Sequence, residues 1–479
     1  MATNYPTTTA HKFLNIQNGR LGVYNAWDTH STARLAQVGI RYLKRNQQWK
    51  YWLSCMEPLQ MAVYRMQNRG LLVDFEALKK LEVKVRSELK ETDEHILAAD
   101  PTGDLSRPTD KYPNSLNSNQ RLSKFLFETL GLQVPKRTGK GFASTDQETL
   151  YAILRKLPKR NEAHRQVLEA LFHRTRWATI HKRYLRVPVD DDGRVRAEVK
   201  LTGTKTLRFS YKNPALQQAP PETRSIYQAA PGSMLLSVDY NQLEARLLAY
   251  LAQDKPSIQA FENGEDVHWN NARDLFGWPP DHLKDKAARN FAKSFLFGVS
   301  YGGQAETMKT KLFCPCEKCR ATAPPTLALS RVTIKALEQR WFTVHPAVRK
   351  FQQLTALDIQ RDHFYDHPLG YRRMISAPWG PDLDRETRNL PMQLGGAILM
   401  ARAQIELDKQ QAPIVLQNHD AFILEVPTRE LTHWTIKVRT ALERPVPELR
   451  NVSFPTTVTL GQNWGDYDPL TNPQGLKAA

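Results

Sequence analysis

Apolar and polar positions along this chain follow two periods, and the stretch Pro231–Asp254 contains the change from one to the other. Met234, Leu235, Leu236 and Val238 form a short apolar run, too short for a helix that must stand alone, so it reads as a buried strand. From Gln242 to Leu251 the spacing becomes helical. Asp239 therefore falls at the end of a strand, and Glu244 in the first turn of the helix that follows. Asp is also a favoured helix cap, so Asp239 alone does not decide between a cap and a metal ligand.

Two further stretches bear on that choice. Ala287–Gly303 places Arg289, Lys293, Phe297 and Tyr301 four apart. On a helix each such step advances by about 40°, and the set winds along one side over roughly 18 Å. Two cations followed by two rings suit a polyphosphate and then the face of a base and sugar. The same residues also suit a solvated basic face and core aromatics. Pro413–Pro427 reads as two apolar strands flanking Gln417–Asp420, a hairpin whose tip presents His419 and Asp420.

Together these stretches resemble family A DNA polymerases, the bacterial DNA polymerase I family. Asp239–Arg246 reads DYNQLEAR where the family has approximately DYSQIELR. Arg289–Gly302 follows R-x3-K-x3-F/Y-G-x2-YG, and His419-Asp420-Ala421 stands where the family has HDE. The order and intervals are comparable. The resemblance implies an α/β (α+β) right-hand fold, with a palm of antiparallel sheet plus helices, helical fingers and a helical thumb. It divides the chain into an N-terminal remnant of an exonuclease-like domain (1–52), thumb (53–200), first part of the palm (201–260), fingers (261–368, with a Cys-containing insertion at about 313–329) and second part of the palm (369–479).

The resemblance also assigns roles. Two Mg²⁺ ions would be held by Asp239, the backbone carbonyl of Tyr240 and Asp420, for attack of a primer 3′-hydroxyl on a dNTP. Arg289, Lys293 and His268, the last within EDVHWNNARDLFG, would neutralise the triphosphate. Phe297 would stack on the nucleotide, Tyr301 would lie near the templating position, and Gln242 belongs to the nucleotide-facing set. Glu244 would reject a ribose 2′-hydroxyl, and Phe rather than Tyr at 297 implies discrimination against dideoxynucleotides. Closure of this fingers helix over a correct pair would assemble the site.

Primer–template DNA is the implied partner. Leu201–Pro220 is similar to the family's TGRLSS…PNLQNIP segment, which gives Arg208, Gln217 and Gln218 contacts near the primer terminus; Leu207 stands where the family has Gly. Arg385, Asn389 and Gln393 recur at i, i+4 and i+8 and would share one helical face toward DNA, with His419 beside the active carboxylate. Lys136 and Arg137, in the cationic loop KRTGKG, would touch duplex phosphates; a solvated loop is the alternative.

Departures from the family pattern are as informative. Ala421 replaces the usual Glu, and Glu425 cannot stand in, because an odd spacing on a strand sends it to the opposite face. Tyr24 and Asp28 resemble the last exonuclease motif, while Asp74-Phe75-Glu76 lies downstream at a helix start, where capping explains it. No proofreading is therefore expected; a separate exonuclease or processivity subunit is the alternative. Cys314, Cys316 and Cys319 suggest zinc, but a structural zinc site needs four ligands, and a loop with free thiols remains open.

Composition agrees with a polyanionic partner. The 479 residues carry 67 Lys and Arg against 49 Asp and Glu, a net charge of +18. Basicity does not by itself separate nucleic acid from anionic membrane. Neither a transmembrane run nor a signal-peptide core is visible, so no membrane partner is expected, and a cytoplasmic setting, bacterial or in a phage-infected cell, is. A single-subunit RNA polymerase and a catalytically silent nucleic-acid-binding protein are the other functional readings; Glu244 argues against the first, the retained carboxylates against the second.

Overall fold

The computed structural model describes residues 18–107, 115–139, 141–158, 160–276, 293, 298–299 and 331–479. The apolar run forms strand β1 (Ser233–Tyr240). It lies at the centre of a five-stranded antiparallel sheet with β2 (Ile414–Asn418), β3 (Ala421–Pro427), β4 (Thr456–Gly461) and β5 (Lys477–Ala478), in the order β5-β4-β1-β3-β2. Leu235, Leu236, Ser237 and Val238 are buried in succession, as expected where both faces of a strand are covered. A smaller three-stranded sheet pairs Leu71–Val73 with Arg194–Val195 and Tyr227–Gln228.

Helices surround this sheet. α1 (Asn18–Arg45) is followed by α2 (Glu57–Arg69) and α3 (Phe75–Ala98). α3 starts where Asp74 accepts the Ala77 amide at 3.0 Å, so the Asp-x-Glu sequence there is a cap, as its position indicated. α4 (Gln147–Lys156) and α5 (Glu162–Arg183) complete a helical region in which α5 packs along α3. This region has its own apolar core, including Ile96, Leu126, Leu154 and Leu168, besides the main core around the sheet.

Next in order come α6 (Leu243–Ala252), α7 (Lys255–Glu262), α8 (Val267–Phe276), α9 (Arg331–Val344) and α10 (Pro346–Asp362). Fully buried Asp254 caps α7 through the Ser257 amide at 3.2 Å and meets His345 Nδ1 at 2.7 Å. That pair fixes the α9–α10 junction to the end of α6. α11 (Pro381–Lys409) runs past α2, α6, α10 and α12 (Leu431–Leu442), and α12 packs on β1, β3 and β4. Gly396 lets α11 approach α6: a Cβ there would lie 3.3 Å from Leu243 Cδ2.

Glu425 is turned away from the site, as its odd spacing requires. It takes the Arg194 guanidinium in a fork at 2.6 and 3.0 Å and accepts the Ala230 amide at 2.6 Å, tying the two sheets together. Both side chains of the pair are mostly buried. Replacing one member strands the other charge, a loss of about 3 kcal/mol. Glu425→Ala should therefore lower the free energy of unfolding by that amount in urea titrations; a change within experimental error would contradict the structural role.

Candidate active site

The site is assembled by the pairing of β1 with β3. Asp239 is in register with Ala421, and the Tyr240 amide donates to the Asp420 carbonyl at 3.2 Å. The β2–β3 hairpin turns through His419 and Asp420, with His419 at φ +53°. Two carboxylates from distant parts of the sequence therefore share one end of the sheet. α6 begins at Leu243, and its cap position, Gln242, is left-handed at φ +53° with no side-chain cap bond. Asp239 is thus not the cap of this helix, which removes the simplest alternative to a ligand role.

Electrostatics mark the pair as strained. The Asp239 carboxyl reaches solvent, yet the surrounding protein, together with the Asp420 charge, raises its pKa to about 6. Asp420, only 24% exposed, is also raised, chiefly by burial, with Glu244 adding repulsion. Two cations oppose this. Lys293 favours the charged form of both aspartates, and Arg208 does so for Asp420.

Arg208 Nη2 bonds to Glu244 Oε1 and lies 3.7 Å from Asp420 Oδ1. The preceding Leu207 adopts φ +60°, which explains why Gly suits this place. The substitution alters the residue that carries the turn without removing Arg208 from the cleft. Tyr240 sends its ring into the core, its hydroxyl donating to the Leu442 carbonyl at 2.7 Å, so only its backbone is left for the cleft.

The expected DNA-facing residues fall into two groups. Arg385, Asn389 and Gln393 form a row on α11 that continues to Ala397, which lines a narrow slot with Arg208, His419 and Asp420. Arg385 pairs with Asp382 on the same helix. Gln217 reaches the Gln417 side chain at 3.4 Å, and Gln218 is exposed beside it. Lys136 and Arg137 lie far along the chain, in the separately cored helical region. Lys136 is held by Glu148 at 2.9 Å and Asp146 at 3.5 Å, while Arg137 shares an open cleft with Arg107, Arg121, Lys124, Asp104 and Asp146.

His268 is on α8 and only 3% exposed. Lys293 is exposed. Arg289, Phe297, Tyr301 and the candidate zinc ligands Cys314, Cys316 and Cys319 lie outside the described residues. Tyr24 and Asp28 sit exposed on α1.

One member of the site escaped sequence reasoning. Gln417, inside an apolar strand, accepts the Tyr211 hydroxyl on its carbonyl at 2.9 Å, and its amide donates to the His419 carbonyl. It steadies the hairpin tip. Its place at the junction of the apolar run Ile414–Leu416 with the polar tetrad was the available signal.

The donor set suits a hard divalent cation. Among the described residues no group of three or more His, Cys, Asp or Glu is placed to hold a metal. Mg²⁺, however, is commonly held by one or two carboxylates, with waters and substrate phosphates completing its shell. Two repelling aspartates at an open cleft fit that pattern.

The sequence profile of DNA polymerase family A matches residues 75–466. The chain belongs to that family. DNA polymerase I of Thermus thermophilus is 28% identical over 476 residues, covering 91% of this chain, and that of Bacillus subtilis is 25% identical over 454 residues, covering 89%. The chain spans about half the length of these curated relatives, 51% and 47%. The POL domain of Pol1 from M. smegmatis, solved in complex with DNA primer-template and dNTP, superposes with a TM-score of 0.76 at 23% identity, covering 90% of this chain and 74% of that one. This family A chain thus has the mixed α/β POL-domain fold. No described helix is long and apolar enough to cross a membrane.

The raised pKa of Asp239 has a definite sign. Folding takes up a proton between the ordinary 3.8 and about 6, so its contribution favours the fold below that interval and is lost as pH rises through it. Metal-free protein should lose thermal stability relative to Asp239→Asn as pH is raised from about 4 to about 7. Parallel Tm–pH curves for the two proteins would refute this.

Proposed function

We propose that this chain is a template-directed DNA polymerase that extends a primer 3′ end with deoxynucleotides. The observation that carries the reading is the meeting of Asp239 and Asp420 at one end of the sheet, with Lys293 and Arg208 close enough to offset their charge. Family membership supports it, as does the primer-template and dNTP bound to the related POL domain.

Asp239 and Asp420, with the Tyr240 carbonyl, would hold two Mg²⁺ ions. When bound, such ions lower the pKa of the primer hydroxyl and offset the charge that develops on the transferred phosphate. The protein's own part is positional. The β1–β3 register fixes the two carboxylates, Lys293 with Arg289 and His268 would neutralise the triphosphate, Phe297 would stack on the nucleotide, and Tyr301 would lie near the templating position. Glu244, in the first turn of α6, discriminates against a ribose 2′-hydroxyl. Gln217, Gln218, Arg385, Asn389, Gln393 and His419 guide primer and template toward the slot, with Lys136 and Arg137 on duplex phosphates.

Proofreading is absent from this reading, since Tyr24 and Asp28 are exposed and Asp74 of Asp74-Phe75-Glu76 is a helix cap. A separate exonuclease or processivity subunit and a zinc ion at Cys314, Cys316 and Cys319 belong to the proposal only as additions. Primer extension with dNTPs or rNTPs tests the assignment. Asp239→Ala and Asp420→Ala should each reduce dNTP incorporation on the order of 10³-fold while retaining DNA binding; undiminished synthesis overturns it. Removal of a mismatched 3′ nucleotide by the purified chain would contradict the second claim.

A further inference from the structure

Arg208 stands between the sugar-discriminating residue and one of the two central carboxylates. Its Nη2 bonds Glu244 and lies 3.7 Å from Asp420 Oδ1. All three side chains are three-quarters or more buried, at 25%, 15% and 24% exposure. The backbone holds the arginine there: Leu207 at φ +60° turns the chain, and the Thr204 hydroxyl donates to the Arg208 carbonyl at 2.8 Å. Close packing fixes the base of this turn, because a Cβ on Gly203 would lie 1.9 Å from Ser210 Oγ.

The charges explain the arrangement. Three neighbouring carboxylates need cations, and in the protein alone Arg208 supplies one to Asp420 and Glu244, beside Lys293, which favours the charged form of both aspartates. A divalent ion on Asp420 would meet this guanidinium in like-charge repulsion within a partly buried space. Primer DNA offers the guanidinium other oxygen acceptors at the same slot, which Arg208 lines with Ala397 and His419.

We propose that Arg208 is a stand-in cation, which neutralises Asp420 and Glu244 in the absence of DNA and is drawn off by the primer terminus, so that primer–template and divalent metal bind with positive coupling. The idea rests on the two-carboxylate metal reading above. Arg208 acts here as a positioning residue, through Asp420. Because coupling is reciprocal, metal must strengthen DNA binding by the factor with which DNA strengthens metal binding.

The test measures binding without nucleotide or turnover. Free Mn²⁺ is titrated by electron spin resonance against the full chain, alone and with saturating primer–template, with the DNA-only signal subtracted. Wild type should bind Mn²⁺ roughly tenfold more tightly with DNA, within the usual range of coupling. Arg208→Ala should bind Mn²⁺ more tightly than wild type in the absence of DNA and show coupling within about twofold of none. Arg208→Lys keeps a cation in reach of both carboxylates and should retain most of the coupling, which loss of folding in the Ala variant could not mimic. Full coupling in Arg208→Ala, or none in wild type, overturns the proposal. If Mn²⁺ binding is instead insensitive to Asp239→Asn and Asp420→Asn with DNA present, the metal reading itself fails.

Discussion

The arrangement depends on holding two like charges together. Asp239 lies near the end of a strand with a buried interior, and Asp420 occupies the turn of a hairpin whose second strand pairs with it residue by residue. The register leaves neither carboxyl free to move far from the other. Repulsion and burial raise both proton affinities, and Lys293 and Arg208 offset part of that cost. A folded chain that maintains such a pair without a bound cation sacrifices stability at the place where it needs charge density.

Several unremarkable contacts serve this constraint. Gln417 steadies the hairpin from within an apolar strand by bonding to Tyr211 and the His419 backbone. Gly396 lets α11 close on α6, so that its polar row leads to the slot beside Asp420. Asp254 and His345 tie the end of α6 to the α9–α10 junction. Glu425, the glutamate nearest in sequence to the missing Glu at 421, is committed to Arg194 and to joining two sheets. Its charge is directed to stability, and Ala421 lies buried between the paired strands.

The N-terminal helix differs from the rest. Tyr24, Trp27, Leu35, Val38 and Tyr42 are each more than half exposed on α1. A helix with so much uncovered apolar surface does not owe its place to a core. Tyr24 and Asp28 lie exposed on it, without the burial that surrounds the central carboxylates.

Much of the framework was legible in the sequence because local patterns carry it. The switch of period at Asp239 located β1 and α6, the apolar flanks of Gln417–Asp420 located the hairpin, and odd spacing turned Glu425 away. These are consequences of the two-residue repeat of strands and the 3.6-residue repeat of helices. Tertiary structure decided what those repeats do not encode. It placed Asp420 beside Asp239, shared Arg208 between Glu244 and Asp420, buried His268, and bound Lys136 to acidic neighbours. Such outcomes depend on which strands pair and which helices cross, and charge interactions act through distance in space rather than separation along the chain.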